Sequence, residues 1–157
     1  MEKKPLSHIT MGGIIGGIII VYSMVLNFMD LTANKTLGYV SYLIILIGIV
    51  MAVNMYGKSV DHTATFGKLF SFGFKATAVM TILFIAFQVL FFLIFPEYKE
   101  KVFDIAREEM LKDGKVNEEQ VEMGVQMVRN LFWVFLIGGT LFGFVVLGAI
   151  SSLIGAA

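Results

Sequence analysis

The sequence contains no cysteine and no excess of charge of either sign, since 12 basic residues are balanced by 12 acidic ones. The absence of cysteine excludes disulfide bonds and thiolate metal sites. A formal net charge of zero gives no reason to expect a nucleic-acid partner or a polybasic lipid-binding tail. Catalytic motifs are also missing: there is no Gly-x-Ser-x-Gly, no phosphate-binding loop and no His-Glu-x-x-His. We therefore expect neither an enzyme nor a bound cofactor.

Histidine is scarce as well, with His8 and His62 in different connecting segments. Neither has a second His or Cys at ligand spacing, so no metal site is expected. Asp61 directly precedes His62 in the stretch "VDHTAT". An adjacent pair of this kind is typical of a solvated turn, and a role in proton handling is the alternative.

What the sequence has in abundance is apolar surface. It is 57% hydrophobic, has a mean hydropathy of +0.83 and contains 15 Phe and 10 Met, far above the apolar share of a soluble domain. About 20 apolar residues in a helix cross the roughly 30 Å hydrocarbon core of a bilayer. Four runs reach that length, so we predict an all-α polytopic membrane protein with a single domain over residues 1–157. Spans one to four are placed at residues 9–29, 37–56, 72–95 and 131–154.

The first run follows Lys3 and Lys4, as the apolar region of a signal peptide would. It is about 20 residues long and ends in Asn27, Phe28, Met29 and Asp30, without a small-residue cleavage pattern. We interpret it as an uncleaved span.

The basic residues predict the orientation in the membrane. Basic residues precede span one and lie between spans two and three, whereas the first connection has only Lys35. The third connection has six basic residues against nine acidic ones, and it is placed outside because the inverse orientation would expose both of the other basic clusters. Cytoplasmic loops carry the excess of Lys and Arg, so we expect a protein of the bacterial inner membrane with both termini in the cytoplasm. The residues behind this prediction are Lys3, Lys4, Lys58, Lys68 and Lys75.

The connection at residues 96–130 is predicted to form an extramembrane helical hairpin. Pro96 is tolerated in a first helical turn, and Gly114 in "KDGK" can end a helix in the left-handed conformation. Asn117 and Gln120 have the spacing of a capping box for a second helix, which could continue into span four. That helix carries Val121, Val125 and Val128 on one stripe. The stripe is expected to pack within the hairpin or on the headgroups, with docking of a partner as the alternative.

Several stretches of the chain resemble a known family. They are "FGKLFSFGFK" at residues 66–75, "FPEYKEKVFDIAREEM" at 95–110, "NEEQVE" at 117–122, and a last span with Gly138, Gly139 and Gly143. Together they resemble a family of small bacterial membrane proteins that is known only as a domain of unknown function. The resemblance implies a four-span inner-membrane protein and brings no activity, substrate or site residue.

Lys75 is the most notable charged residue near a span. If the third helix begins near Thr65, then Lys68, Ser71 and Lys75 share one face of it. An ionisable group in hydrocarbon costs several kcal/mol unless it reaches water or a partner. Lys75 is therefore expected to extend its stem to the interface as a topology anchor, or else to pair with Asp30 or Asp61.

A polar stripe follows on the same helix, where Thr77, Thr81 and Gln88 fall within about 40° of one another on a wheel of 3.6 residues per turn. Such side chains seek partners on neighbouring helices, and Asn27 and Asn54 are the candidates. We interpret the stripe as contact between helices, with a hydrated translocation path as the alternative.

Glycines recur four residues apart in two spans and predict close helix packing. Span one has the pairs Gly12/Gly16 and Gly13/Gly17 in "MGGIIGGIIIV", and span four has Gly139/Gly143. We predict a packing seam between spans one and four. A seam with another copy or a partner, and local flexibility, are the alternatives.

These features favour a non-enzymatic accessory or assembly subunit of a membrane complex. The alternative is a small transporter or channel formed by oligomerisation, with Lys75 and the polar stripe beside the path. The expected partners are the lipid bilayer and either another membrane protein or further copies of the chain.

Overall fold

The computed structural model describes residues 6–114 and 116–157, which form six α-helices and no strand. Four helices are long and apolar enough to cross a membrane, so the predicted all-α architecture with four spans is confirmed. Lys3, Lys4 and Lys115 lie outside the described residues. The four long helices are α1 (His8–Phe28), α2 (Lys35–Ser59), α3 (Phe66–Ile94) and α6 (Phe132–Ala156), and the hairpin is formed by α4 (Glu97–Asp113) and α5 (Glu118–Asn130).

Side-chain caps explain where the first two helices begin. The Ser7 hydroxyl accepts a hydrogen bond from the backbone N–H of Ile9, and Asn34 accepts from the N–H groups of Thr36 and Leu37. The third helix starts at Phe66 after Thr65, six residues before the apolar run predicted for span three. Lys68 interrupts the apolar composition in this stretch but does not interrupt the helical backbone, so the helix begins near Thr65, as the shared face of Lys68, Ser71 and Lys75 requires.

The four long helices do not pack in chain order. Within the described residues, α1 packs mainly along α3, α2 packs mainly along α6, and α3 and α6 share the most extensive contact of the bundle. The pairs α1/α3 and α2/α6 are each parallel: Phe28 at the end of α1 contacts Phe95 just after α3, and Gly155 near the end of α6 lies against Val53 of α2. A further contact between α2 and α3 crosses the centre and separates α1 from α6.

The core of the bundle lies where these helices meet. Aliphatic side chains fill it, including Ile19 of α1, Ile45 and Ile49 of α2, and Met80 of α3, all of which are fully buried. Phe84 of α3 and Phe144 of α6 also belong to this cluster, with their rings stacked 5.2 Å apart. Because lipid tails are as apolar as these side chains, close packing rather than exclusion of water holds the spans together.

The predicted helical hairpin is confirmed, and its local signals act as expected. Gly114 follows α4 with a φ of 63°, and Asn117 and Gln120 form both hydrogen bonds of the capping box at the start of α5. The possible continuation of α5 into span four is not found. The helix stops at Asn130, and α6 begins anew after Leu131, whose φ and ψ are −105° and 17°.

An aromatic cluster joins the hairpin to the bundle. Phe103 of α4 packs edge-on against Phe132 at the start of α6, and Phe132 packs in the same way against Phe92 of α3. Val121 and Val125 of the predicted stripe are buried in this cluster. The stripe therefore packs within the hairpin and its junction with the spans.

Ion pairs surround the same cluster. Arg129 of α5 donates to both carboxylate oxygens of Glu100 of α4, at 2.8 and 2.9 Å. Two more pairs reach the turn between α1 and α2: Lys101 bonds to Asp30, and Lys35 lies 2.9 Å from Glu109. Exposed pairs of this kind contribute little stability.

Candidate functional site

A cleft lined by all four long helices is the candidate site within the spans. It has a volume of about 300 Å³ and lies in the half of the bundle nearest the hairpin. All four helices contribute to its lining, which is mostly apolar with a few polar groups, as small-molecule sites are. The polar and glycine residues that line it are Ser23, Gly38, Ser41, Tyr42, Gln88, Gly139, Thr140 and Gly143.

Gln88 makes the central polar contact of this cleft. Thr140 of α6 donates a hydrogen bond of 3.0 Å from its hydroxyl to the side-chain oxygen of Gln88 on α3. Both side chains are half-buried. Sequence reasoning placed Gln88 toward a neighbouring helix but missed Thr140. The available signal was a single hydroxyl residue in the otherwise apolar first half of span four.

The other members of the polar stripe do not reach the cleft. Thr77 donates to the carbonyl oxygen of Gly73 at 3.0 Å, and Thr81 donates to that of Thr77 at 2.8 Å. Both threonines are buried in the core. Because each hydroxyl is satisfied by its own helix, neither is available to line a hydrated path through a single chain.

Asn27 and Asn54 are not the partners of the stripe. Asn27 donates to the carbonyl oxygen of Ser23 at 2.8 Å, and Asn54 donates to that of Val50 at 3.0 Å. Each amide thus bonds to the backbone one turn earlier in its own helix. The predicted pairing across helices is wrong for both residues, and Thr140 takes their place for Gln88.

Lys75 lies at the opposite end of the bundle from the cleft. Its side chain is exposed and lines a groove together with Lys68 and Ser71, with which it was predicted to share a face. The alternative pairing with Asp30 is excluded, since Asp30 bonds to Lys101 of the hairpin.

The glycines of span one contact α3 instead of span four. A methyl group added at Gly12 would lie 2.4 Å from the carbonyl oxygen of Ala76, and one at Gly16 would lie 3.5 Å from the Cα of Met80. The seam predicted between spans one and four therefore does not form. Gly13 and Gly17 face away from this contact, with nothing within 4 Å of the positions that their Cβ atoms would occupy.

Other glycines provide the close contacts of α6. An added Cβ at Gly148 would lie 2.2 Å from the Cγ2 of Thr77, and one at Gly155 would lie 2.9 Å from the Cβ of Val53. An added Cβ at Gly139 or Gly143 would have nothing within 4 Å of it. That predicted pair leaves space at the cleft and does not form a helix contact.

A double-mutant cycle measures how much the hydrogen bond between Thr140 and Gln88 contributes to the free energy of unfolding. We expect Gln88→Leu to lower the free energy of unfolding by about 1 kcal/mol, because it removes a hydrogen bond between spans. Thr140→Val removes the other partner and is expected to lower the free energy of unfolding by a similar amount. The double variant should lower it by little more than either single variant does. Unfolding curves in mixed detergent micelles provide the measurement. Strictly additive effects would show that the two side chains are not coupled.

In chemical terms, the cleft can bind a molecule but has little means of transforming one. Its polar groups are hydroxyls and one amide, and the described residues that line it include no carboxylate, histidine or lysine. Such groups donate and accept hydrogen bonds without transferring protons near neutral pH.

Comparison with known proteins adds a family and nothing more specific. The family model described as "Protein of unknown function (DUF4199)" matches residues 10–157. No curated protein and no solved structure matches the chain. The family match runs from the first turn of α1 through the hairpin to the end of α6.

Proposed function

Since the chain belongs to the DUF4199 family of proteins of unknown function, we propose a function from the geometry alone: a non-enzymatic accessory or assembly subunit of a membrane complex. In this proposal the four spans anchor the chain in the bacterial inner membrane. The α4–α5 hairpin then presents a docking surface to another membrane protein.

The outer face of α5 is the observation that carries the proposal. Val121 and Val125 point into the hairpin, whereas Met123 and Met127 lie one turn apart on the other side and are 68% and 59% exposed. Leu131 continues this face and is also exposed. An exposed apolar patch on an extramembrane element is typical of an interaction site, and methionine adapts readily to the shape of a partner. We refer to Met123, Met127 and Leu131 as the methionine face.

Two ion pairs connect the hairpin to the first two helices, in addition to the aromatic cluster, and this favours docking over a flexible role. Lys101 and Glu109 are eight residues apart on α4, or about 12 Å along the helix, and both bond to the turn between α1 and α2. The hydrogen bond with Asp30 also raises the pKa of Lys101 above its ordinary value. A pre-positioned surface loses less conformational freedom on binding.

A photo-activated cross-linking residue tests this function directly. Placed at Met123 or Met127 in cells, it is expected to give one discrete adduct with another membrane protein. The matched control position is Glu108, an exposed residue of α4 outside the methionine face. Adducts with lipid alone from both methionine positions would contradict the proposal, because they would show that the bilayer covers this face.

The cleft supports a second candidate, a small transporter formed by several copies. The supporting observation is that four helices bring Ser23, Ser41, Gln88 and Thr140 to one cavity. If this function is correct, liposomes that contain the protein alone take up a small polar solute, and Gln88→Leu changes the rate. No flux above that of empty liposomes, tested over a panel of ions and uncharged solutes, would reject it.

The orientation is also open to a clean test, because the chain has no cysteine of its own. From the basic residues we propose that both termini are cytoplasmic and the hairpin is periplasmic. A cysteine at Glu119 is then expected to react with a membrane-impermeant maleimide in intact cells, and one at Thr63 is expected to react only after lysis. The reverse pattern would invert the topology.

A further inference from the structure

A second cavity lies at the end of the bundle opposite the hairpin. It is a groove of about 730 Å³ between the first turns of α1 and α3. Its base is formed by Tyr56 and Phe72, whose rings stack 4.2 Å apart. Its polar rim is formed by His8, Lys68, Ser71 and Lys75. We refer to it as the basic groove.

Two lysines and one hydroxyl of this groove share a single face of α3. Residues three and seven positions apart lie on the same side of an α-helix, so Ser71 sits between Lys68 and Lys75. The two lysine backbones are about 10 Å apart along the axis. Their flexible stems allow both ammonium groups to reach one anion placed over Ser71.

Among the described residues, the lining of the groove carries positive charge and no carboxylate. Its described lining residues include no Asp or Glu, and within residues 6–114 and 116–157 neither Lys68 nor Lys75 forms an ion pair. In the hairpin, Lys101, Arg107, Lys112 and Arg129 pair with carboxylates, and Lys99 lies over the rings of Phe132 and Trp133. An unpaired pair of lysines on one face favours an anionic ligand.

The length of α3 places the groove at the level of the lipid headgroups. The helix has 29 residues and is therefore about 43 Å long, whereas the hydrocarbon core is about 30 Å thick. A core that ends at Ile94 begins about 20 residues earlier, close to Lys75. The segment from Phe66 to Phe74 then lies beside the headgroups.

Further along α3, toward Ile94, the face that carries the lysines becomes apolar and faces the lipid. Ile82 lies seven residues after Lys75 and is 67% exposed. A molecule that occupies the groove therefore contacts positive charge at the headgroup level and an apolar helix surface closer to the centre of the bilayer. This combination fits a phospholipid better than a free anion.

We propose that the basic groove binds the phosphate of an anionic phospholipid. Lys68 and Lys75 pair with the phosphate, Ser71 donates a hydrogen bond to it, and an acyl chain follows α3 past Ile82. The site is separate from the methionine face and from the cleft at Gln88, and it does not depend on the function proposed above.

The test uses the full-length protein in detergent, with phosphatidylglycerol and phosphatidylcholine as probes and native mass spectrometry as the measurement. Phosphatidylglycerol is expected to bind more tightly than phosphatidylcholine. The double variant Lys68→Gln/Lys75→Gln should bind phosphatidylglycerol about 30-fold more weakly, since each lysine at a membrane surface contributes about fivefold. Both lysines are exposed, so the variant is expected to fold, and circular dichroism verifies this.

A matched control separates a site from general attraction to a basic surface. Lys58 is exposed near the same end of the bundle and is not part of the groove, so Lys58→Gln should leave the affinity unchanged. An equal loss with Lys58→Gln, or equal binding of the two lipids, would overturn the proposal. Displacement of the lipid by millimolar inorganic phosphate would also overturn it, because the site would then take free phosphate.

Discussion

Replacing Gly12 with alanine is expected to lower the free energy of unfolding by about 1–3 kcal/mol, the usual cost of overpacking a tight contact. The loss should appear even though alanine is the better helix former by about 1 kcal/mol. An added Cβ would lie 2.4 Å from the carbonyl oxygen of Ala76 and 2.8 Å from the Cβ of Val79. A backbone carbonyl cannot rotate away, so α1 and α3 must move apart along the contact that joins them.

Gly13→Ala is the matched control, because it adds the same methyl group to the next residue of the same helix. Nothing lies within 4 Å of the position that its Cβ would take, so the stability should stay the same or rise. Thermal unfolding of the two variants in one detergent gives the comparison. Equal melting temperatures would contradict the contact between α1 and α3 and would favour an interface of Gly12 with lipid.

Replacing Phe103 with alanine is expected to release the hairpin from the bundle. Phe103 is only 2% exposed. Its ring packs against Phe132 and lies beneath the guanidinium of Arg129, which is 4.4 Å from the ring centroid. Removing a buried phenyl group costs about 3–5 kcal/mol. Because the contacts between the hairpin and the spans are few, we expect this cost to appear as local opening of α4 and α5, with the four spans still folded.

Limited proteolysis measures this opening. Trypsin should cut the hairpin of Phe103→Ala at least tenfold faster than that of the native chain, while the circular dichroism of the spans persists. Leu111→Ala is the control on the same helix, since Leu111 is 50% exposed and its truncation leaves no cavity. If both variants are cut at the native rate, the aromatic cluster does not hold the hairpin.

The features that the sequence predicts well are those set by local physics. The length of an apolar run decides whether a helix can cross a bilayer, and all four spans were found in this way. The hairpin was equally accessible, because Gly114 and the Asn117/Gln120 capping box act within a few residues of the chain.

The neighbours of each helix could not be predicted in the same way. Gly12/Gly16 and Gly13/Gly17 have identical spacing, yet only the first pair meets another helix. Spacing marks a face that permits close approach but contains no information about which span will use it. Gln88 shows the same difficulty: the two asparagines predicted as its partners, Asn27 and Asn54, bond to their own helices, and Thr140, which was not predicted, bonds to it instead.

The pairing of α1 with α3 and of α2 with α6 has a consequence for biogenesis. Helices emerge from the ribosome in chain order, so α1 and α2 enter the membrane before the main partner of either has been made. The Gly12 face of α1 therefore remains exposed to lipid until α3 is inserted, and the contact surface of α2 remains exposed until α6 is inserted. Assembly of the bundle thus requires the insertion of α6, and a nascent chain that stalls before Phe132 leaves the surfaces of α2 and α3 that contact α6 unoccupied.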